Sequence, residues 1–307
     1  MQQLRKADHV EWPTVALALA CYGLWGMAIT WVSALWLPMG MCAAIFAIAL
    51  HGSLTHELIH GHPFRFARAN EGLGFACLGL FVPFRRFQAL HLAHHTDANL
   101  TDPYDDPESN YLDPKVWAQL PRWLRRILMF NNTLLGRMIV GPALGQLTFL
   151  RSDWKAIRAG NREVCQAWAL HIPAMGLVLV LVHWAAMPIW AYGICAYAAF
   201  GIIKIRTFLE HRAHDRPSGR TVVVDGGCLL SFLFLNNNLH VVHHMHPKVP
   251  WYRLPALWQS DKDRYLERNG GYYYASYAQV FAQHLWRAKD PVPHPLRPQS
   301  DWSNPRN

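Results

Sequence analysis

Cysteine is scarce and scattered in this chain. The six residues, Cys21, Cys42, Cys77, Cys165, Cys195 and Cys228, contain no C-x-x-C pair and mostly fall in apolar runs, which excludes a disulfide framework and a cysteine-ligated zinc site. Repeats at solenoid spacing and low-complexity tracts are also missing, so a repeat array is set aside. Before Pro13 the sequence is short, polar and without a small-residue cleavage site, and no removed leader is expected.

Apolar and imidazole side chains are in excess. Of the 307 residues, 52% are hydrophobic, more than a soluble core consumes. Mean hydropathy is nonetheless only +0.01, so much of the chain must lie in water or at an interface. A formal charge of +9 fits either nucleic acid or a membrane protein with its lysines and arginines on the cytoplasmic face. Fourteen tryptophans and four long apolar runs favour the membrane, because tryptophan settles at the headgroup level. The lipid bilayer is therefore the expected partner, and nucleic acid is not.

The apolar run from Pro13 to Leu37 is long enough to cross a hydrocarbon core of about 30 Å. Spans are expected at about 14–36, 39–59, 168–187 and 189–208, paired into hairpins by breaks at Pro38-Met39-Gly40 and Pro188. If lysine and arginine mark the cytoplasm, both tight turns face outward and both termini face inward. The fold class is then all-α and integral to the membrane: four transmembrane helices in two hairpins, with a cytoplasmic helical cap from 61–166 and 209–290 carrying a di-metal site. Residues 1–290 form one domain in this reading, and the proline-rich segment 291–307 is a disordered tail. Gly72 to Phe84 is too short to cross and is expected as a re-entrant or interfacial helix, while the basic, amphipathic stretch from Trp123 to Trp154 is expected along the membrane surface.

The 18 histidines concentrate at the inner ends of these spans. His56 and His60 are four residues apart, on one helix face. His91, His94 and His95 form an H-x-x-H-H motif, and His240, His243 and His244 form another. Two such motifs rarely coincide when histidine occupies 18 positions in 307. Eight imidazoles are too many for one zinc, which usually takes four ligands, but suit two metals with positions left open for O2. Iron is preferred because an oxidative site is suggested. His211 is a ninth candidate ligand, and His214 and Asn237 are possible ones; the latter's run, Asn236-Asn237-Asn238, is as suited to capping a helix.

Asp97, Asp102, Asp105, Asp106 and Glu108 follow the second motif and are candidates to hold the outer N–H groups of ligating imidazoles, as is Glu210, although a solvated turn accounts for the acidic run equally well. His9, His51, His62, His171, His183, His246, His284 and His294 read as packing or surface residues. His56-Glu57-Leu58-Ile59-His60 also matches the H-E-x-x-H signature of zinc proteases, with Val224-Asp225-Gly226 as a faint echo of a third ligand, but that reading leaves both H-x-x-H-H motifs without a purpose. A metal-holding scaffold without turnover is the remaining alternative.

These three boxes, in this order around two hairpins, resemble the membrane fatty acid desaturase superfamily over roughly Leu50 to Pro255. Phe208-Leu209-Glu210-His211 is similar to the additional histidine motif of alkane hydroxylases. The stretch from Asn238 to Pro255 is similar to the third box of bacterial fatty acid desaturases and of carotenoid ketolases. The resemblance implies a membrane oxidoreductase with two non-haem irons held by the nine histidines and O2 as co-substrate. Lacking the cytochrome b5 domain of front-end desaturases, it would draw electrons from an external ferredoxin or cytochrome-type donor. Desaturation of an acyl chain is the expected reaction, with hydroxylation or ketolation of fatty acids, alkanes or carotenoids as the alternative. In a bacterium the site would lie on the cytoplasmic side of the inner membrane. The basic surface formed by Arg122, Arg125, Arg126, Lys155 and Arg158 suits a phosphate-bearing headgroup or carrier.

Overall fold

The structure, a computed structural model, describes residues 10–95, 97–227 and 229–297. Four helices are long and apolar enough to cross a membrane: α1 (Trp12–Leu35), α2 (Leu37–Ile59), α9 (Arg162–His183) and α10 (Ile189–Thr207). Between the hairpins lie α3 (Ala67–Leu73), α4 (Phe84–His94), α5 (Pro114–Gln119), α6 (Arg122–Asn131), α7 (Leu134–Ile139) and α8 (Gly141–Arg158). After them come α11 (Leu229–Leu233), α12 (His240–Met245), α13 (Leu254–Ser260), α14 (Lys262–Arg268) and α15 (Tyr277–His284). Two short strands, β1 (Val223–Val224) and β2 (Tyr273–Tyr274), pair in parallel and tie the last segments together. The chain is all-α in class.

The first hairpin turns at Trp36, not at Pro38. Trp36 is extended (φ −160°), and Pro38 sits inside the first turn of α2, where a missing N–H costs nothing because that donor would have no partner anyway. Gly40 belongs to α2 as well, and a Cβ there would collide with Ser33, so the glycine lets the two arms close. The third span starts earlier than expected, at Arg162, with the Asn161 side chain accepting from the Glu163 and Val164 amides. Met187 N–H donates to the Ile29 carbonyl at 2.9 Å, which brings both hairpin turns to one end of the bundle. Exposed Trp31, Trp36, Trp184 and Trp190 ring that end, and exposed Trp12, Trp123 and Trp154 lie on elements at the other, two belts at the heights where indole is favoured.

Residues 74–83 form no helix, contrary to the expectation. Gly74 ends α3, Leu80 adopts φ 66°, and Pro83 precedes α4. The segment instead inserts as irregular chain among the helices, with Leu78 fully buried. Its carbonyls are satisfied by side chains: Tyr192 Oη donates to Leu78 O at 2.7 Å, His171 Nε2 to Leu80 O at 3.1 Å and Gln146 Nε2 to Phe81 O at 2.9 Å. Non-helical backbone is tolerated at such depth only when buried and paired in this way.

The segment after Pro291 makes contacts where it is described. Leu112 N–H donates to Val292 O, His294 N–H donates to Leu112 O, and Arg297 pairs with Asp102 and Asp113. Backbone pairing and two ion pairs tie residues 292–297 to the acidic loop; 298–307 lie outside the described residues.

Candidate metal centre

Helical periodicity places the ligand atoms. His56 and His60 leave the end of α2 one turn apart, their ring centres 4.8 Å from each other. His91 and His95 are related in the same way at the end of α4 (4.7 Å), and His240 and His244 along α12 (4.5 Å). His211 comes from no helix. Beyond Thr207 the chain is held by an antiparallel bridge between His211 and Thr221, which turns the ring inward.

Nine nitrogens gather into two nests. His56, His60, His91, His95 and His243 form one, and His94, His211, His240 and His244 the other; within each, the ligand atoms lie within 4.8 Å of one another. Both H-x-x-H-H motifs divide between them. In each, the first and last histidines share a nest and the middle one crosses to the other: His94 leaves His91 and His95, and His243 leaves His240 and His244.

Three of the outer nitrogens are already committed, while His211 Nδ1 is buried without a hydrogen-bond partner among the described residues. His91 Nδ1 meets Glu108 at 3.1 Å, His94 Nδ1 meets Asp106 at 2.8 Å, and His240 Nδ1 meets Asn237 Oδ1 at 3.0 Å. With Nδ1–H donating outward, each of these rings presents an Nε2 lone pair inward. Yet His91 Nε2 lies 2.9 Å from His56 Nε2, and His94 Nε2 2.8 Å from His211 Nε2. His60 Nε2 is buried without a hydrogen-bond partner. Converging lone pairs of this kind are stabilised by a cation between them, and the donor set therefore fits two metal ions. Burial first, and then repulsion from neighbouring imidazoles, lowers the proton affinity of His95, His211, His240 and His243, favouring the neutral form that ligates. His94 differs: burial opposes its charge, but Glu108 and the bond to Asp106 outweigh that and raise it to about 9.

Among the other expected residues, Asp106 and Glu210 reach the site. Asp106 is buried and also receives the Thr101 and Glu108 amides, while Glu210 pairs with Arg206 at 2.7 Å and lies 3.8 Å from His240 Nδ1. Glu108, a candidate from the same acidic run, reaches it too, through His91 Nδ1. Asp102 instead caps Tyr104 and Asp105 and binds Arg297, and Asp105 is exposed. The Asp97 side chain lies outside the described residues. His214 is not brought in: with no helix beyond Thr207, it shares no face with His211, and its Nδ1 contacts the Arg216 backbone. Asn237 turns Oδ1 to His240 and Nδ2 to His56 Nε2 at 3.3 Å, linking the nests. Glu57 accepts from Trp251 N–H and approaches only the outer nitrogen of His56, at 3.9 Å, and Asp225 pairs with Lys262, so the protease arrangement is not assembled. His51, His62, His171, His183, His246, His284 and His294 join neither nest; His9 lies outside the described residues.

A cavity of about 770 Å³ runs from His211 and Glu210 in among the spans, where Ile48, Gly52, Ala199 and Phe200 line it. Through His211 the smaller nest therefore meets a space inside the bundle with apolar walls among the spans and charged groups, Arg137, Lys204 and Glu210, beside them.

A family profile described as "Fatty acid desaturase" matches residues 30–277. A "Beta-carotene ketolase" from a Paracoccus species is 27% identical over 231 residues, covering 72% of this chain and 74% of the relative. One from a second Paracoccus strain is 26% identical over 230 residues with the same coverage. A "Beta-carotene 4-ketolase" from Protosiphon botryoides is 25% identical over 215 residues, 66% of this chain and 46% of the relative. With the profile covering most of the sequence, four apolar helices of spanning length and the histidines gathered at their ends, the chain belongs to the fatty acid desaturase family, as an integral membrane, desaturase-like oxygen-dependent oxidoreductase.

Proposed function

We propose that the nine histidines of the two nests hold two non-haem irons, and that the protein uses O2 and two externally supplied electrons to oxidise a C–H bond of a lipid. The observation that carries this is the pair of imidazole nests, the smaller of which reaches a cavity among the spans through His211. When bound, the irons supply O2 activation. The chain's own residues do the rest: Asp106, Glu108 and Asn237 orient the ligating rings, and the cavity walls hold an apolar chain beside them away from water. Electrons come from a separate ferredoxin or cytochrome-type protein, and the site faces the cytoplasm. We read the substrate as an acyl lipid and the reaction as desaturation, by removal of two hydrogens from adjacent carbons.

Ketolation of a carotenoid is the second reading, and the ketolase relatives favour it specifically. Expression in a host making both saturated acyl lipids and carotenoids, followed by mass spectrometry of each, tests the choice. Acyl chains lighter by two hydrogens support desaturation; unchanged acyl chains beside oxygenated carotenoids overturn it in favour of the ketolase. Metal analysis of active, purified protein should give about two irons per chain, and stoichiometric zinc would sink the oxidative reading altogether.

A further inference from the structure

Two cations face the cavity with no carboxylate at ion-pair distance among the described residues, Glu108 and Glu210 attracting Lys204 only from further off. Arg137, on α7, is only 6% exposed, and its guanidinium is held by neutral groups alone. Its Nε donates to the Asn131 carbonyl at 3.0 Å, one Nη to Asn132 Oδ1 at 3.3 Å, and the other to Asn110 Oδ1. Lys204, in the last turn of α10, places its Nζ over the Phe200 ring at 4.9 Å. Among the described residues, no carboxylate stands within ion-pair distance of either cation. The acids closest to the site are already engaged, Glu108 with His91 and Glu210 with Arg206.

Arg137 and Lys204 line one cavity, together with His211 and Glu210. A purely structural role accounts for Arg137, whose hydrogen bonds fasten the end of α6. It does not account for Lys204, which among the described residues makes no hydrogen bond and meets only the Phe200 ring in this way, nor for a second like charge on the same cavity. Ionisable groups in a spanning helix are costly and mark a ligand or its path. An anion lodged near both would turn mutual repulsion into attraction, and a guanidinium matches carboxylate and phosphate geometry in particular.

We propose that Arg137 and Lys204 form a seat for a small anionic end group, carboxylate or phosphate, of the lipid whose chain occupies the cavity. This rests on the lipid-oxidation reading above and narrows it to an acidic amphiphile, as opposed to a pure hydrocarbon. The test is binding, which needs no turnover: purified full-length protein in detergent, with palmitate, hexadecyl phosphate, hexadecanol and hexadecane as probes, measured by native mass spectrometry. Palmitate or hexadecyl phosphate should bind roughly tenfold tighter than hexadecanol, the scale of one charge-assisted contact. That preference should largely vanish in Lys204→Met and in Arg137→Gln while hexadecanol binding holds. Whichever anion leads identifies the source, a free acid or a phosphorylated headgroup. Equal binding of all four probes, or a preference that survives both substitutions, overturns the seat. Should Arg137→Gln fail to fold, Lys204→Met decides alone. A protein that selects palmitate but carries no iron keeps the seat and loses the proposed reaction; one that oxidises lipid without discriminating among the probes keeps the reaction and loses the seat.

Discussion

Five imidazoles converge in one nest and four in the other, and the two are anchored differently. The five-membered nest draws all its rings from helices or their caps, and His56 and His60 come from a spanning helix whose position the bundle fixes. Glu108 hydrogen-bonds His91, and Glu57 lies 3.9 Å from His56 Nδ1. The four-membered nest depends on His211, held by a single bridge to Thr221, and is braced by buried polar groups: Asp106 behind His94, and Asn237 and Glu210 behind His240. Among the described residues the loop-borne ring itself has no outer partner, its Nδ1 being buried without a hydrogen bond, so the bracing falls on its helical neighbours His94 and His240. Outer hydrogen bonds and backbone rigidity are alternative ways to hold an imidazole at a fixed angle.

That contrast can be broken by experiment. The largest effect is expected from removing ligands: His244→Ala leaves three imidazoles in the smaller nest and His95→Ala leaves four in the larger. Elemental analysis should find close to one iron lost from the first variant and less from the second, with turnover of His244→Ala at background. Equal iron loss would show that the nests do not differ in reserve. Next come the carboxylates. Asp106→Asn should weaken iron binding by about 10- to 100-fold, and Glu108→Gln by less, because Glu108 is partly exposed and its contact is longer; chelator competition ranks them, and the reverse order would refute the assignment. Asn237→Ala touches both nests and should lower iron affinity in each by roughly tenfold, read as two shifted phases in the same competition. The smallest effects are expected at His214→Ala and Asp105→Ala, whose side chains lie outside the site; iron content unchanged within error and stability altered by no more than about 0.5 kcal/mol in thermal unfolding would bear that out.

Much of this site was legible because it is written in helical spacing. His56 with His60, His91 with His95 and His240 with His244 are i, i+4 pairs, and helix geometry alone makes them converge. The exchange of His94 and His243 between nests is not legible, since it depends on how α4 and α12 face each other. His214 was misleading for the same reason: its spacing from His211 has meaning only on a helix, and the helix ends at Thr207. The acidic loop defeated pattern reading because Asp102, Asp105, Asp106 and Glu108 are alike in chemistry and differ only in which way a turn aims them. In the fold, span positions followed from length and hydropathy. The first hairpin turn did not, because Pro38 is equally at home in a break and in the first turn of a helix. Residues 74–83 read as helical by composition, and their actual course is set by Tyr192, His171 and Gln146, which lie far away in sequence.

The crossing of His94 and His243 has a further consequence for how the centre fills. Helices α4 and α12 each contribute to both nests, so occupancy of either one orders the two helices that the other requires. Such shared scaffolding makes loading cooperative: the ordering entropy is spent at the first event and is no longer charged at the second. A titration of the metal-free protein should then pass almost directly from empty to doubly filled chains, with singly filled ones scarce at the midpoint. The same linkage acts in reverse, so that loss of one ion loosens the grip on its neighbour and the centre empties as a unit.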